Sequence, residues 1–171
     1  MSDARSTMRS PPRAPTRPSR TPRNAGRGSP TSSEEPAMRE LLRLAAEQGL
    51  TVHACHLPEG LLGCYEPDSA RIWFDLRLTP FERRSVIAHE LGHHHYGDRA
   101  STPAIERRAD RYAATLLVDP AAYARIERIH PDAATIADEM QVTVKIIEAF
   151  RAHCLERRGE VTTVRRRPLS A

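Results

Sequence analysis

At 171 residues, with 39% hydrophobic and 28% charged residues, the chain has the composition of a globular protein and the length for one ordinary domain. The formal net charge of +4 arises within residues 1–36, where seven arginines face three acidic residues, so the rest of the chain is neutral. A basic nucleic-acid-binding fold is therefore disfavoured, and no run approaches the roughly 18 apolar residues that a membrane span requires.

The first 36 residues are the most biased segment of the chain. They hold seven of the fourteen prolines and almost no large apolar side chains, so they cannot offset the entropy of ordering. We predict a disordered arm over residues 1–36, a folded domain over 37–155 and a basic tail over 156–171. The arm has three interpretations: a tether for nucleic acid or another partner, a solvated extension, or a stretch that follows an upstream start codon when Met38 is the true start.

The folded part begins with a predicted helix over residues 39–48, in which leucines recur at helical spacing before Gly49. Three runs rich in strand-forming residues follow, separated by turns at Pro58-Glu59-Gly60 and Pro67-Asp68-Ser69. They extend over 51–57, 61–66 and 70–76. The pattern predicts a small antiparallel three-stranded sheet.

The remainder of the domain is predicted to be helical. Thr79-Pro80-Phe81-Glu82 combines an N-cap, a proline at the first helical position and the glutamate of a capping box, and Gly97 provides a stop. The helices are expected near 79–96, 102–118, 119–129 and 132–154, the last broken around 141–143. The fold class is therefore α+β, with the sheet packed on the 79–96 helix and a helical C-terminal half.

The 79–96 helix contains His89-Glu90-Leu91-Gly92-His93. Two histidines at i and i+4 lie about 40° apart around a helix, so both imidazoles can reach one cation. Zn²⁺ is bound well by neutral imidazole, and a catalytic zinc keeps one position open for water. Glu90 is then placed to act as the general base toward that water.

A third ligand is expected from the next helix, where Glu106 and Asp110 repeat the i, i+4 spacing. Antiparallel packing of the two helices would bring Glu106 to the zinc, and Asp110 could orient a histidine by accepting a hydrogen bond from its ring. Alternatively, both carboxylates pair with neighbouring arginines on a solvated face. His94, His95 and Asp98 are weaker candidates for the third ligand, and Tyr96 is a candidate stabiliser of the tetrahedral intermediate.

Together, His89-Glu-Leu-Gly-His93 and the segment from Glu106-Arg-Arg-Ala-Asp110 to Leu117-Val-Asp-Pro120 resemble the ImmA/IrrE-like metallopeptidases of bacteria, phages and mobile elements. The resemblance covers roughly residues 50–152. It implies a gluzincin-like site with His89, His93 and Glu106 as zinc ligands and Glu90 as the catalytic residue. It also implies that the partner is a protein substrate, typically a helix-turn-helix repressor, and that the protein is bacterial or phage-encoded.

The expected activity is therefore zinc-dependent hydrolysis of a peptide bond in a cytoplasmic protein. Three scattered cysteines and a polar N-terminus agree with a cytoplasmic location. Residues 134–150 also resemble a helix-turn-helix, but Met140-Gln141 replaces the usual turn glycine and few basic residues follow, so packing or repressor docking is favoured over DNA reading. The alternative function is a non-catalytic zinc-containing regulator or DNA-binding module that uses the basic arm.

Overall fold

The computed structural model of the chain describes residues 34–158 and 161–164, with side chains described from 37 to 155. These residues belong to one compact unit. The predicted arm, apart from residues 34–36, lies outside the described residues, as do residues 165–171 of the predicted tail. No helix in the described part is both long and apolar enough to cross a membrane.

Helices form most of the described structure, and the α+β class is confirmed. In chain order the elements are α1 (Glu34–Glu47), β1 (Thr51–Cys55), β2 (Gly63–Glu66), β3 (Arg71–Asp75), α2 (Pro80–Tyr96), α3 (Pro103–Leu117), α4 (Pro120–Glu127), α5 (Ala133–Glu139), α6 (Val144–His153), β4 (Leu155–Arg158) and β5 (Val161–Val164). The first helix starts five residues earlier than predicted. Strands β4 and β5 pair antiparallel, and apart from Leu155 they lie within the segment predicted to be a tail.

The three-stranded sheet is mixed, so the prediction of a wholly antiparallel sheet was wrong. Strand β3 is central, with β2 antiparallel on one side and β1 parallel on the other. The connection after β1 is too long to enforce a tight hairpin, and it is fixed at the end of β3 by the carboxylate of Asp75. That carboxylate accepts from the Leu57 N–H at 2.8 Å, while the Asp75 N–H donates to Leu62 at 2.9 Å. The chain therefore passes the end of β3, and β2 pairs with the edge of β3 that is opposite β1.

Local signals position α2 and α3 as the sequence predicted. Thr79 and Glu82 form a complete capping box at the start of α2, and Gly97 ends that helix in the left-handed conformation at φ 65°. Thr102 caps α3, with Pro103 at its first helical position. Fixed ends matter because they set the register of every side chain along each helix.

One hydrophobic core joins the sheet to the helices. Its fully buried members include Ile72 of β3, Ile87 and Leu91 of α2, and Ile147 and Phe150 of α6. Burial of this apolar surface stabilises the unit by roughly 25 cal/mol per Å² removed from water. Helix α6 is thus an integral part of the core.

The break between α5 and α6 lies where it was predicted. Gln141 adopts the left-handed conformation at φ 55°, the position at which a glycine would be conformationally easier. The turn is attached to α2, because Arg84 Nη1 lies 3.3 Å from the Gln141 carbonyl and the Thr143 N–H donates to Ser85 Oγ at 3.2 Å. These contacts favour packing as the role of the helix-turn-helix-like segment.

Candidate metal centre

The site depends on close packing of α2 against α3. A Cβ added to Gly92 would lie 3.0 Å from the Cα and 3.1 Å from the carbonyl oxygen of Ala109. Only a residue without a side chain permits this backbone approach, which explains a glycine inside a helix despite its cost of about 1 kcal/mol relative to alanine. The approach places Glu106 of α3 opposite His89 and His93 of α2.

Three potential ligand atoms converge between these helices. His89 Nε2 lies 3.1 Å from His93 Nε2 and 3.2 Å from one carboxylate oxygen of Glu106. His93 Nε2 lies 3.8 Å from the other Glu106 oxygen, and the three residues form a cluster within which all ligand atoms are less than 4.8 Å apart. Tetrahedral zinc holds ligands about 2.0–2.2 Å away, which separates them from each other by about 3.4 Å. The donor set and its spacing fit zinc.

Asp110 lies behind the first histidine. Its carboxylate is 2.7 Å from His89 Nδ1, and the same oxygen is 2.8 Å from Lys145 Nζ of α6. With Nδ1–H donating to the carboxylate, Nε2 keeps its lone pair directed at the cluster. Burial lowers the pKa of His89, but the Asp110 hydrogen bond and the nearby Glu90 charge outweigh it and raise the pKa overall. The result is a more basic ligand.

The carboxylate of Asp98 contacts His93 in the same way as that of Asp110 contacts His89. Its carboxylate lies 3.0 Å from His93 Nδ1 and also pairs with the guanidinium of Arg108 on α3. Only 3% of the Asp98 side chain is exposed. The sequence predicted Asp98 only as a weaker candidate for the third ligand, and its role in holding His93 was not predicted. The available signal was Gly97, which turns the chain back so that the Asp98 N–H donates to the His93 carbonyl at 2.9 Å.

Glu90 is buried between α2 and the edge strand β2, with 7% of its surface exposed. A Cβ on Gly63 would lie 3.0 Å from a Glu90 carboxylate oxygen and would overlap Val86, so the bare glycine makes the fit feasible. Burial raises the pKa of Glu90, while His89, His93 and the backbone N–H of Tyr65 pull it in the opposite direction. A carboxylate with a raised pKa is well suited to accept and return a proton.

The described ring contacts of Tyr96 are with residues other than those of the metal cluster and Glu90. Its ring packs edge-on against His95 and Tyr112, and Arg108 lies 4.8 Å above it. A different tyrosine, Tyr65 of β2, approaches the Glu90 side of α2. Its hydroxyl lies 2.9 Å from Nδ1 of His94, which is one helical turn beyond Glu90.

The described partners of the two α3 carboxylates are the site histidines, Ser101 and Lys145. The alternative in which Glu106 and Asp110 pair with neighbouring arginines on a solvated face therefore finds no ion pair to support it among the described side chains. Arg108, the arginine of α3 that has a described carboxylate partner, uses Asp98 of the other helix.

Comparison with known proteins adds independent information. The model of a peptidase family described as "IrrE N-terminal-like domain" matches residues 42–150, more than half of the chain. The chain belongs to this family. The resemblance to ImmA/IrrE-like metallopeptidases is thus confirmed, and the match of this IrrE N-terminal-like domain includes both helices of the metal cluster.

A solved structure also aligns with part of the IrrE N-terminal-like domain. A solved structure titled "Mycobacterium tuberculosis transcriptional regulator" is 16% identical with a TM-score of 0.48. The alignment covers 71% of this chain and 47% of that chain, so the present chain spans about half of the regulator's length. A search of curated proteins gave no significant match.

Proposed function

We propose that the protein is a zinc-dependent endopeptidase with Glu90 as its general base. The observation that carries the proposal is the convergence of His89, His93 and Glu106 beside a buried carboxylate that directly follows the first histidine. Membership of a peptidase family agrees with it. A scaffold site for zinc would need the three ligands but would have no use for an acid at the position of Glu90.

The chemistry divides between the metal and the protein. Zinc held by His89, His93 and Glu106 would polarise the scissile carbonyl and acidify a water molecule. Glu90 accepts the proton from that water and delivers it to the nitrogen of the departing amine, so the carboxylate returns to its starting state. In the neutral rings, the carboxylates of Asp98 and Asp110 hold the proton on Nδ1, which leaves each Nε2 lone pair free to bind the metal.

An extended peptide is the substrate shape that the neighbouring strand favours. The Asp75 N–H bonds to the Leu62 carbonyl, so strand alternation directs the backbone groups of Gly63 and Tyr65 away from β3. On this edge of β2 the Tyr65 N–H donates to Glu90. A peptide that paired with the Gly63 groups and the Tyr65 carbonyl would therefore lie beside Glu90 and the metal cluster. Tyr65, through its hydroxyl next to His94, is better placed than Tyr96 to hydrogen-bond such a substrate.

The substrate we propose is a cytoplasmic protein, specifically a helix-turn-helix repressor of a phage, mobile element or stress regulon. Support comes from the resemblance in the two helical motifs and from family membership. The test is incubation of the purified protein with the repressor encoded beside its gene, with zinc and with a chelator. We expect one specific cleavage that requires zinc.

The alternative function gives a different result in the same samples. A non-catalytic regulator would leave the repressor intact at every zinc concentration. It would instead bind DNA with a salt-sensitive, metal-independent affinity that depends on residues 1–36. That outcome would replace the peptidase proposal.

A further inference from the structure

A concave site lies on a different face of α3 from the one that carries Glu106. It is a cavity of about 270 Å³ lined by Tyr96, Ala104, Arg107, Arg108, Arg111 and His153. The four α3 members follow the i, i+3, i+4, i+7 spacing of one helix face. The lining therefore combines the end of α2, the basic face of α3 and the end of α6.

The cavity concentrates positive charge without a carboxylate in its wall. Arg108 pairs with Asp98, whereas Arg107 and Arg111 have no ion pair with any described residue. Guanidinium groups at i and i+4 repel each other, so a helix gains nothing from this arrangement by itself. An anion in the cavity would attract both guanidinium groups and so offset the repulsion between them.

The chemistry of the donors indicates which anion would bind. Guanidinium groups bind phosphate through paired N–H donors and so match its oxygens in both charge and geometry. The guanidinium of Arg108 already pairs with Asp98, so Arg107 and Arg111, which have no ion pair with any described residue, would supply the donors.

We propose that this pocket binds the phosphoryl group of a small phosphomonoester. The volume lies just below the range of about 300–1,000 Å³ found for small-molecule sites, so a phosphoryl group and an adjoining ribose would fill it, and a base would extend beyond it. The assignment does not depend on zinc or on peptidase activity. Phosphoryl binding can therefore be tested separately from the proposed function.

The test is calorimetric titration of the full chain with inorganic phosphate, AMP and adenosine at one fixed salt concentration. The double variant Arg107→Gln/Arg111→Gln removes two charges from the pocket. The control, Arg125→Gln/Arg128→Gln, removes two charges from exposed positions in and beside α4 that do not line it. We expect AMP to bind, the pocket variant to lose at least about tenfold in affinity, and the control to stay within about twofold.

Equal losses in the two double variants would overturn the proposal, because they would assign binding to general charge or to the basic arm. So would the absence of binding by both phosphate and AMP, or equal affinities for AMP and adenosine. A single-stranded DNA that binds more tightly than AMP through the pocket arginines would overturn the small-ligand assignment. If the double variant fails to fold, Ala104→Glu places a carboxylate at the exposed cavity wall and should abolish AMP binding.

Discussion

The ring nitrogen Nδ1 of His93 lies 3.0 Å from a carboxylate oxygen of Asp98, a residue located beyond the end of the helix that carries the histidine. Asp98 is held in turn by Arg108 of α3. Each histidine of the candidate metal centre is thus oriented by a carboxylate, and each carboxylate is paired with a cation.

Replacing Asp98 should weaken metal binding without removing a ligand. In Asp98→Asn the neutral amide no longer fixes the His93 ring, and we expect the zinc Kd to rise about 10–100-fold. Competition with a chromogenic chelator measures the change. The matched control is Asp68→Asn, an exposed aspartate paired with Arg99 on the surface, which should leave the Kd unaltered. Equal affinities in the two variants would contradict the role of Asp98.

Substitutions of Asp110 and Lys145, the two residues that connect the metal site to α6, should weaken zinc binding to different extents. In Asp110→Asn the zinc Kd should rise about 10–100-fold, because the partner of His89 is lost. Lys145→Met should cost at most about fivefold, since the lysine is 65% exposed and such ion pairs contribute about 0–1 kcal/mol. Lys145→Arg should retain most of the affinity. A larger loss in Lys145→Met than in Asp110→Asn would reverse the inferred order.

Glu90→Gln separates catalysis from metal binding. The amide fills the same buried space but cannot accept a proton, so cleavage should fall by at least about 100-fold while zinc content stays at one per chain. Metal analysis and a cleavage assay on the same preparation provide the two measurements. Glu139→Gln, at an exposed position at the end of α5, is the control and should cleave normally. Undiminished cleavage by the Glu90 variant would exclude its role as general base.

Gly92→Ala tests whether backbone contact between α2 and α3 builds the site. On helix propensity alone this change should stabilise the protein by about 1 kcal/mol. Contact of the new methyl with the backbone of Ala109 should reverse the sign, and we expect a loss of about 1–3 kcal/mol in the free energy of unfolding. Chemical denaturation measures the difference. A more stable variant would show that the helices separate easily.

Asp75 should make stability depend on pH in the acidic range. Hydrogen bonds from the Arg77 side chain and backbone hold the pKa of Asp75 far below its ordinary value, despite its burial. The unfolded chain binds a proton near pH 3.9 while the folded chain does not, so this contribution is complete above that pH and declines as the pH falls below it. Denaturation between pH 6 and pH 3 should show a shallower decline for Asp75→Asn than for the unmodified chain. Parallel curves would contradict the prediction.

Much of the fold followed from local signals. The start and end of α2 were predictable because Thr79, Glu82 and Gly97 act on the backbone within a few residues. The pairing of β1 with β3 was not, because it depends on the contact of Asp75 with Leu57, eighteen positions earlier in the chain. Alternating hydrophobicity specifies a strand but not its neighbour.

The candidate site likewise combines features that the sequence predicted with features that depend on tertiary structure. The sequence by itself determined the donor chemistry, since the i, i+4 spacing of His89 and His93 directs both rings to one side of any helix that contains them. It also indicated Glu106 through the same spacing on the following helix. Tertiary structure alone decided the distances between these groups, because they depend on the contact of Gly92 with Ala109. Tertiary structure also decided which residues hold the histidines in place, since the attachment of Lys145 to Asp110 exists only after α6 packs against α3.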